Sequence, residues 1–149
     1  MIYDIQICEV TQQTTAVVRS QAKQSELADV VPQGCGEVWE FMRLSELPRP
    51  GRNLALYLDD EMNIEVGVEV FQPFEGNDRI FCSSTPAGMV ATTAHFGPYP
   101  SLGEAHAAIH KYCSDHGLTL AGPRWELYGH WTDNPDELRT DIFYLLRQA

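Results

Sequence analysis

At 149 residues the chain is long enough for one domain that buries roughly two thirds of its unfolded surface. Twenty-one Asp and Glu against ten Lys and Arg leave a formal net charge of −11, which disfavours contact with phosphate backbones and attracts cationic small molecules. No apolar run approaches the roughly 18 residues of a membrane span, and Met-Ile-Tyr-Asp-Ile-Gln at the start lacks a basic region followed by an apolar stretch. No membrane association is expected, and a cytoplasmic address is.

The first predicted element is "IYDIQICEV", where Ile2, Ile5, Ile7 and Val10 alternate imperfectly, and "TTAVVRSQ" continues as a second β-rich run. From Ser25 the period becomes helical, with Leu27, Val30 and Val31, and a break is expected at Pro32-Gln33-Gly34. The helix resumes in "GEVWEFMRLSEL", with Val38, Phe41 and Met42 on one stripe and Trp39 beside it. "PRPGRN" reads as a loop. Two strands follow, "LALYLDD" and "IEVGVEVF", joined by the short connection Glu61-Met62-Asn63. "RIFCSSTPAG" and "MVATTAHF" form the next strand region.

"GPYP" then punctuates the chain before a second helix, "SLGEAHAAIHKYCSDHG". Leu102, Ala105, Ile109 and Tyr112 form its apolar stripe. Ser101 with Glu104 three residues on reads as a capping box, and Gly117 as the stop. "RWELYGHW" and "TDIFYLL" are the last strands, joined by the polar loop "TDNPDELR".

The element order is thus β-α-β-β twice, about 75 residues each time. Asn53-Leu-Ala-Leu-Tyr57 sets beside Arg124-Trp-Glu-Leu-Tyr128, with Ala55 in the place of Glu126. A duplicated unit predicts an α+β domain over residues 1–149 with pseudo-two-fold symmetry. It would have an antiparallel sheet, two main helices and a central ligand groove.

Little in the chain carries obvious chemistry. Cys8, Cys35, Cys82 and Cys113 are scattered without a C-x-x-C pair and read as free thiols. His106 and His110 are spaced i, i+4 but lack the H-E-x-x-H context, so they read as a solvated helix face. No metal ligand, cofactor site, nucleophile elbow or phosphate loop is assigned. His95 stands alone at a strand end and receives no role.

One segment stands apart. In "GPRWELYGHW" a single carboxylate, Glu126, lies among large aromatics, and a carboxylate is costly to bury unpaired. Strand alternation puts Arg124, Glu126, Tyr128 and His130 on one face, with Trp125, Leu127 and Trp131 on the other. From the pattern alone, Glu126 is either a solvated strand residue paired with Arg124 or His130, or a pocket carboxylate. Tyr57 and Tyr128 are either core packing or pocket wall. Trp39 is either core or a groove residue on the first helix.

"HFGPYPSLGEAHAAI" followed by "HGLTLAGPRWELYGHWTDNPDELRTDIFYLL" resembles the GyrI-like small-molecule-binding family. The matching pieces are Gly97-Pro98-Tyr99 before a helix, Gly122-Pro123 before the Trp-Glu-Leu-Tyr strand, and Thr140-Asp141-Ile142. The family includes effector-binding domains of AraC- and MerR-type multidrug regulators and stand-alone gyrase-inhibitor proteins. The resemblance implies binding of cationic, lipophilic compounds at a glutamate in an aromatic pocket. Glu126 holds the matching position, with Tyr128, Tyr57 and Trp39 as candidate ligand contacts and Tyr99 as a structural turn residue.

On that reading Glu126 tolerates burial because its missing partner is the ligand. Drug or toxin sequestration is the expected function, with no catalytic residue assigned. Two other readings stay open: a hydrolase of reactive cyclopropane-bearing compounds, and a partner that restrains DNA gyrase. The sequence carries no helix-turn-helix, so no direct nucleic-acid binding is expected.

Overall fold

The computed structural model describes residues 2–129 and 132–147. Its elements run β1 (Gln6–Val10), β2 (Thr14–Gln21), α1 (Leu27–Leu44), β3 (Asn53–Tyr57), β4 (Asn63–Glu69), β5 (Phe81–Ser84), β6 (Gly88–Phe96), α2 (Leu102–Asp115), β7 (Leu120–Tyr128) and β8 (Arg139–Leu146). The expected α+β class with an antiparallel sheet and two main helices is what the chain adopts. All eight strands join one antiparallel sheet in the order β1-β6-β8-β7-β3-β4-β2-β5.

The central seam is the β3–β7 pairing, which sets Ala55 opposite Glu126. Directly paired residues point to the same side of a sheet. One face therefore runs from Val18 through Val66, Ala55 and Glu126 to Ile142. Both helices pack on that face. The α1 cluster joins Cys35, Val38 and Met42 to Val18, Ala55, Tyr57, Val66 and Val68. The α2 cluster joins Ala105, Ile109 and Cys113 to Ala91, Ile142 and Tyr144. On the other face Leu54, Leu56, Val90, Trp125 and Leu127 form a third cluster.

Three helix expectations need correction. The break expected at Pro32 does not occur, since α1 continues through it. Proline removes one backbone hydrogen bond, at about 3 kcal/mol or more in a helix interior. The stripe on both sides of Pro32 (Leu27, Val31, Cys35, Val38, Met42) packs on one sheet surface, and that burial outweighs the lost bond. Gly34 lies on the sheet side, where an added Cβ would meet Val66 Cγ1 at 2.9 Å.

The capping box at Ser101 is also absent. A 3₁₀ turn, Tyr99–Ser101, leads into α2, and the Ser101 hydroxyl donates to the Pro98 carbonyl at 2.8 Å instead. Cys113, not Tyr112, completes the buried stripe of α2. The stop at Gly117 is as expected: it adopts φ +68°, and Leu118 N–H bonds to Cys113 O at 2.9 Å. The expected faces of His130 and Trp131 lie outside the described residues.

At Gly67 of β4 the backbone of β2 leaves no room for a side chain. A Cβ there would lie 1.8 Å from the Ala16 carbonyl oxygen, a backbone atom that cannot swing away. Gly67→Ala should therefore lower unfolding free energy by about 3 kcal/mol in urea titration, at the upper end of typical overpacking. A loss under about 0.5 kcal/mol, the range of an ordinary surface change, would show that the strands separate freely.

Candidate functional site

Glu126 sits at the centre of a grid of side chains on the helix-bearing face. Register places Asn53, Ala55 and Tyr57 of β3 on one side of Tyr128, Glu126 and Arg124, and Thr140, Ile142 and Tyr144 of β8 on the other. The small Ala55 directly opposite leaves room for the two tyrosine rings to lean inward. Tyr128 Oη donates to Glu126 Oε1 at 2.6 Å and Tyr57 Oη to the same oxygen at 3.3 Å. Glu126 itself is only 5% exposed.

The other carboxylate oxygen meets α2. His106 Nε2 lies 2.6 Å from Glu126 Oε2, and His106 Nδ1 lies 2.6 Å from Tyr144 Oη. An imidazole protonated at Nε2 satisfies both contacts: it donates to the carboxylate and accepts from the tyrosine. Burial pushes the Tyr144 hydroxyl up to about 12, so it keeps the proton that it donates. Burial likewise raises Tyr57 and Tyr128, with the Glu126 charge adding to it.

Burial by itself would raise the Glu126 carboxyl as well. The hydrogen bond and charge interaction with His106, with the Tyr128 and Tyr57 hydroxyls, more than offset it and hold the group below its ordinary value.

Three expectations change here. Glu126 does not lack partners, because three side chains of the same chain donate to it. Nor is it a solvated strand residue paired with Arg124, which pairs with Asp60 Oδ1 at 3.1 Å. His106 does not lie on a solvated helix face, and sequence reasoning missed it. A signal existed: His106 follows Leu102 by four residues and Ala105 by one, at the margin of the buried stripe. His110 remains on the exposed helix face as expected, although its ring centroid lies 5.0 Å from that of Tyr144 and partial burial lowers its pKa.

Above this floor lies a groove of about 1230 Å³ between the two helices. Tyr57, Tyr128, Tyr144, Tyr99 and Trp39 supply its aromatic walls. Trp39 is 40% exposed, and its Nε1 donates to Asn53 Oδ1 at 2.5 Å. Tyr99 stands edge-on to Tyr128 at 5.7 Å, so the turn residue also lines the groove. Gly36 of α1 and Gly103 of α2 border the opening, and nothing lies within 4 Å of where either Cβ would be. Small residues there keep the groove wide. Among the described residues no group of three or more His, Cys, Asp or Glu converges as a metal site.

Residues 3–147 match the GyrI-like small molecule binding domain. The chain belongs to the GyrI-like family. No curated protein matches it in sequence.

Among solved structures, the C-terminal domain of EcmrR is similar, with 21% identity and a TM-score of 0.81 over 100% of both chains. SAV2435 bound to tetraphenylphosphonium shares 12% identity at a TM-score of 0.66, over 99% of this chain and 94% of that one. A hydrolase from Listeria innocua shares 12% identity at a TM-score of 0.60, over 96% and 91%. At these identities the likeness is one of fold. This GyrI-like chain is a small-molecule-binding domain, and no helix among its described residues is long and apolar enough to cross a membrane.

The lowered Glu126 pKa makes a stability prediction. A carboxyl whose folded pKa lies below its unfolded value stabilises the fold fully above the unfolded value. That contribution is lost as pH falls through the folded one. Glu126→Gln should cost about 1–3 kcal/mol at pH 7, the usual penalty for disturbing a buried hydrogen-bonded group. Urea titrations should show the gap between the two proteins narrowing as the pH drops below about 4. A gap independent of pH would mean that the charge of Glu126 plays no part.

Proposed function

We propose that the chain binds lipophilic, cationic small molecules in the groove, with Glu126 as the charge that receives them and the aromatic walls as contact surface. One observation carries this reading. A buried carboxylate at the groove floor takes two of its three hydrogen bonds from neutral tyrosine hydroxyls and the third from His106, which can donate as a neutral imidazole, so a ligand cation can supply the opposite charge. Aromatic faces add cation–π attraction of roughly 0.5–2 kcal/mol each. The fold neighbour SAV2435, bound to the lipophilic cation tetraphenylphosphonium, supports the same ligand class.

Turnover is a second reading, favoured by the linked chain Glu126–His106–Tyr144 and by a fold neighbour described as a hydrolase. The protonation energetics favour binding. A carboxyl held below its ordinary range is a weak general base, and tyrosines pushed upward are weak acids. The net charge of −11 disfavours direct contact with nucleic acid, and sequestration of the bound compound is the function we infer.

The test is a titration of one cationic dye and one neutral analogue of the same shape. Glu126→Gln should weaken the cationic dye by about 2–5 kcal/mol, roughly 30- to several-thousand-fold, and leave the neutral analogue unchanged. Equal dye affinity in the two proteins would remove Glu126 as the recognition group. Chromatography of the dye after incubation should return it intact, whereas steady conversion would favour the hydrolytic reading.

Groove width offers an independent check. Gly36→Leu replaces a helix glycine facing open space, so thermal stability should rise by about 0.5–1 kcal/mol. The new side chain projects into the groove, so dye affinity should fall about tenfold or more, a loss of about 1.4 kcal/mol. Unchanged affinity would place the ligand elsewhere.

A further inference from the structure

Glu126 is not the only charge on the groove floor. Arg124 precedes it by two residues on the same strand face, which places the two backbones about 7 Å apart. The Arg124 side chain lines the groove and is 17% exposed, with its guanidinium 5.6 Å from the centre of the Tyr57 ring. A guanidinium carries five N–H donors. Here one nitrogen, Nη1, makes both hydrogen bonds to described residues, to Asp60 Oδ1 at 3.1 Å and to the Gly122 carbonyl at 3.2 Å. Among the described residues nothing accepts from Nε or Nη2.

The Asp60 partner is a weak one. Its side chain is 99% exposed, in the turn between β3 and β4, and an ion pair to so exposed a carboxylate contributes little. A ligand that carried only positive charge would meet attraction at Glu126 and repulsion at Arg124. A ligand with an anionic or carbonyl oxygen beyond its cationic centre would satisfy both. Guanidinium groups favour such oxygens because two parallel N–H bonds fit one carboxylate or sulfonate.

We propose that Arg124 is a second ligand anchor, and that the groove selects amphoteric aromatic compounds bearing a cationic centre and an acceptor oxygen, spaced to reach Glu126 and Arg124 together. This rests on the reading of Glu126 as the cation receptor and narrows its ligand class. The alternative for Arg124 is purely structural, a tie between the β3–β4 turn and β7. The two roles differ in what they do to selectivity, because loss of a tie would weaken all ligands alike.

The experiment uses two styrylpyridinium dyes that differ only in the chain on the ring nitrogen, N-butyl in one and N-sulfobutyl in the other. Both are titrated by fluorescence into the parent protein, Arg124→Gln, Arg124→Lys and Glu126→Gln, with thermal melting to confirm that each is folded. The parent should prefer the sulfobutyl dye by about tenfold or more. Arg124→Gln should abolish that preference by weakening the sulfobutyl dye while leaving the butyl dye equal or tighter. Arg124→Lys, which keeps the charge without the fork, should retain part of it.

Glu126→Gln should weaken both dyes. No preference in the parent, or an equal loss of both dyes in Arg124→Gln, overturns the Arg124 proposal and leaves the Glu126 reading standing. Unaltered affinity of both dyes in Glu126→Gln overturns the Glu126 reading, and failure of the parent to bind either dye overturns both.

Discussion

A carboxylate buried at the middle of a sheet imposes conditions on everything around it. Desolvation disfavours its charge, and only donors brought to both oxygens can keep it ionised. Here those donors arrive from three directions. Tyr57 reaches across from β3, Tyr128 along β7, and His106 down from α2, itself held by Tyr144 of β8. Moving any one of these elements would leave a buried charge short of a partner. The placement of α2 over β8 and the pairing of β3 with β7 are therefore tied to a single side chain.

The same arrangement makes the groove. The two helices occupy opposite halves of one sheet face, and the seam between them carries tyrosines and charges where a core would carry aliphatic side chains. Glycines on both helices border the gap, so its floor stays reachable. Stability is concentrated elsewhere. Each helix buries its own aliphatic cluster, and the reverse face of the sheet holds Leu54, Leu56, Val90, Trp125 and Leu127, with Trp125 stacked on Phe143 at 5.2 Å. On that face Arg52 also links Glu69 at 3.1 Å and Asp141 at 2.9 Å, joining β4 to β8 beyond the central strands. Separating these roles lets the groove residues be polar and aromatic without emptying the core.

Local patterns were legible where one periodicity governed a segment. Alternating Ile64, Val66 and Val68 marked β4, and all are buried on the helix side. Gly117 marked the end of α2, because only a residue tolerant of positive φ closes that turn. The aromatic segment around Glu126 marked the strand that lies at the floor of the groove. Expectations failed where a local rule competed with a distant contact. Pro32 should break a helix standing alone, but α1 does not stand alone. Ser101 should cap a helix, but its hydroxyl also lies 3.1 Å from the buried His95, which Tyr3 holds from the other side at 2.8 Å.

By itself the sequence determined the element types, the α+β class and the family, because each depends on the order and spacing of residues close in the chain. It also singled out Glu126 by composition. What only the tertiary structure decided is the company that Glu126 keeps. Tyr57 and His106 lie 69 and 20 positions away from it, and no periodicity links residues so separated. Strand register across the β3–β7 seam and the docking of α2 bring them within hydrogen-bond reach. The same docking turns a histidine on an apparently solvated helix into the donor that helps to keep a buried carboxylate charged.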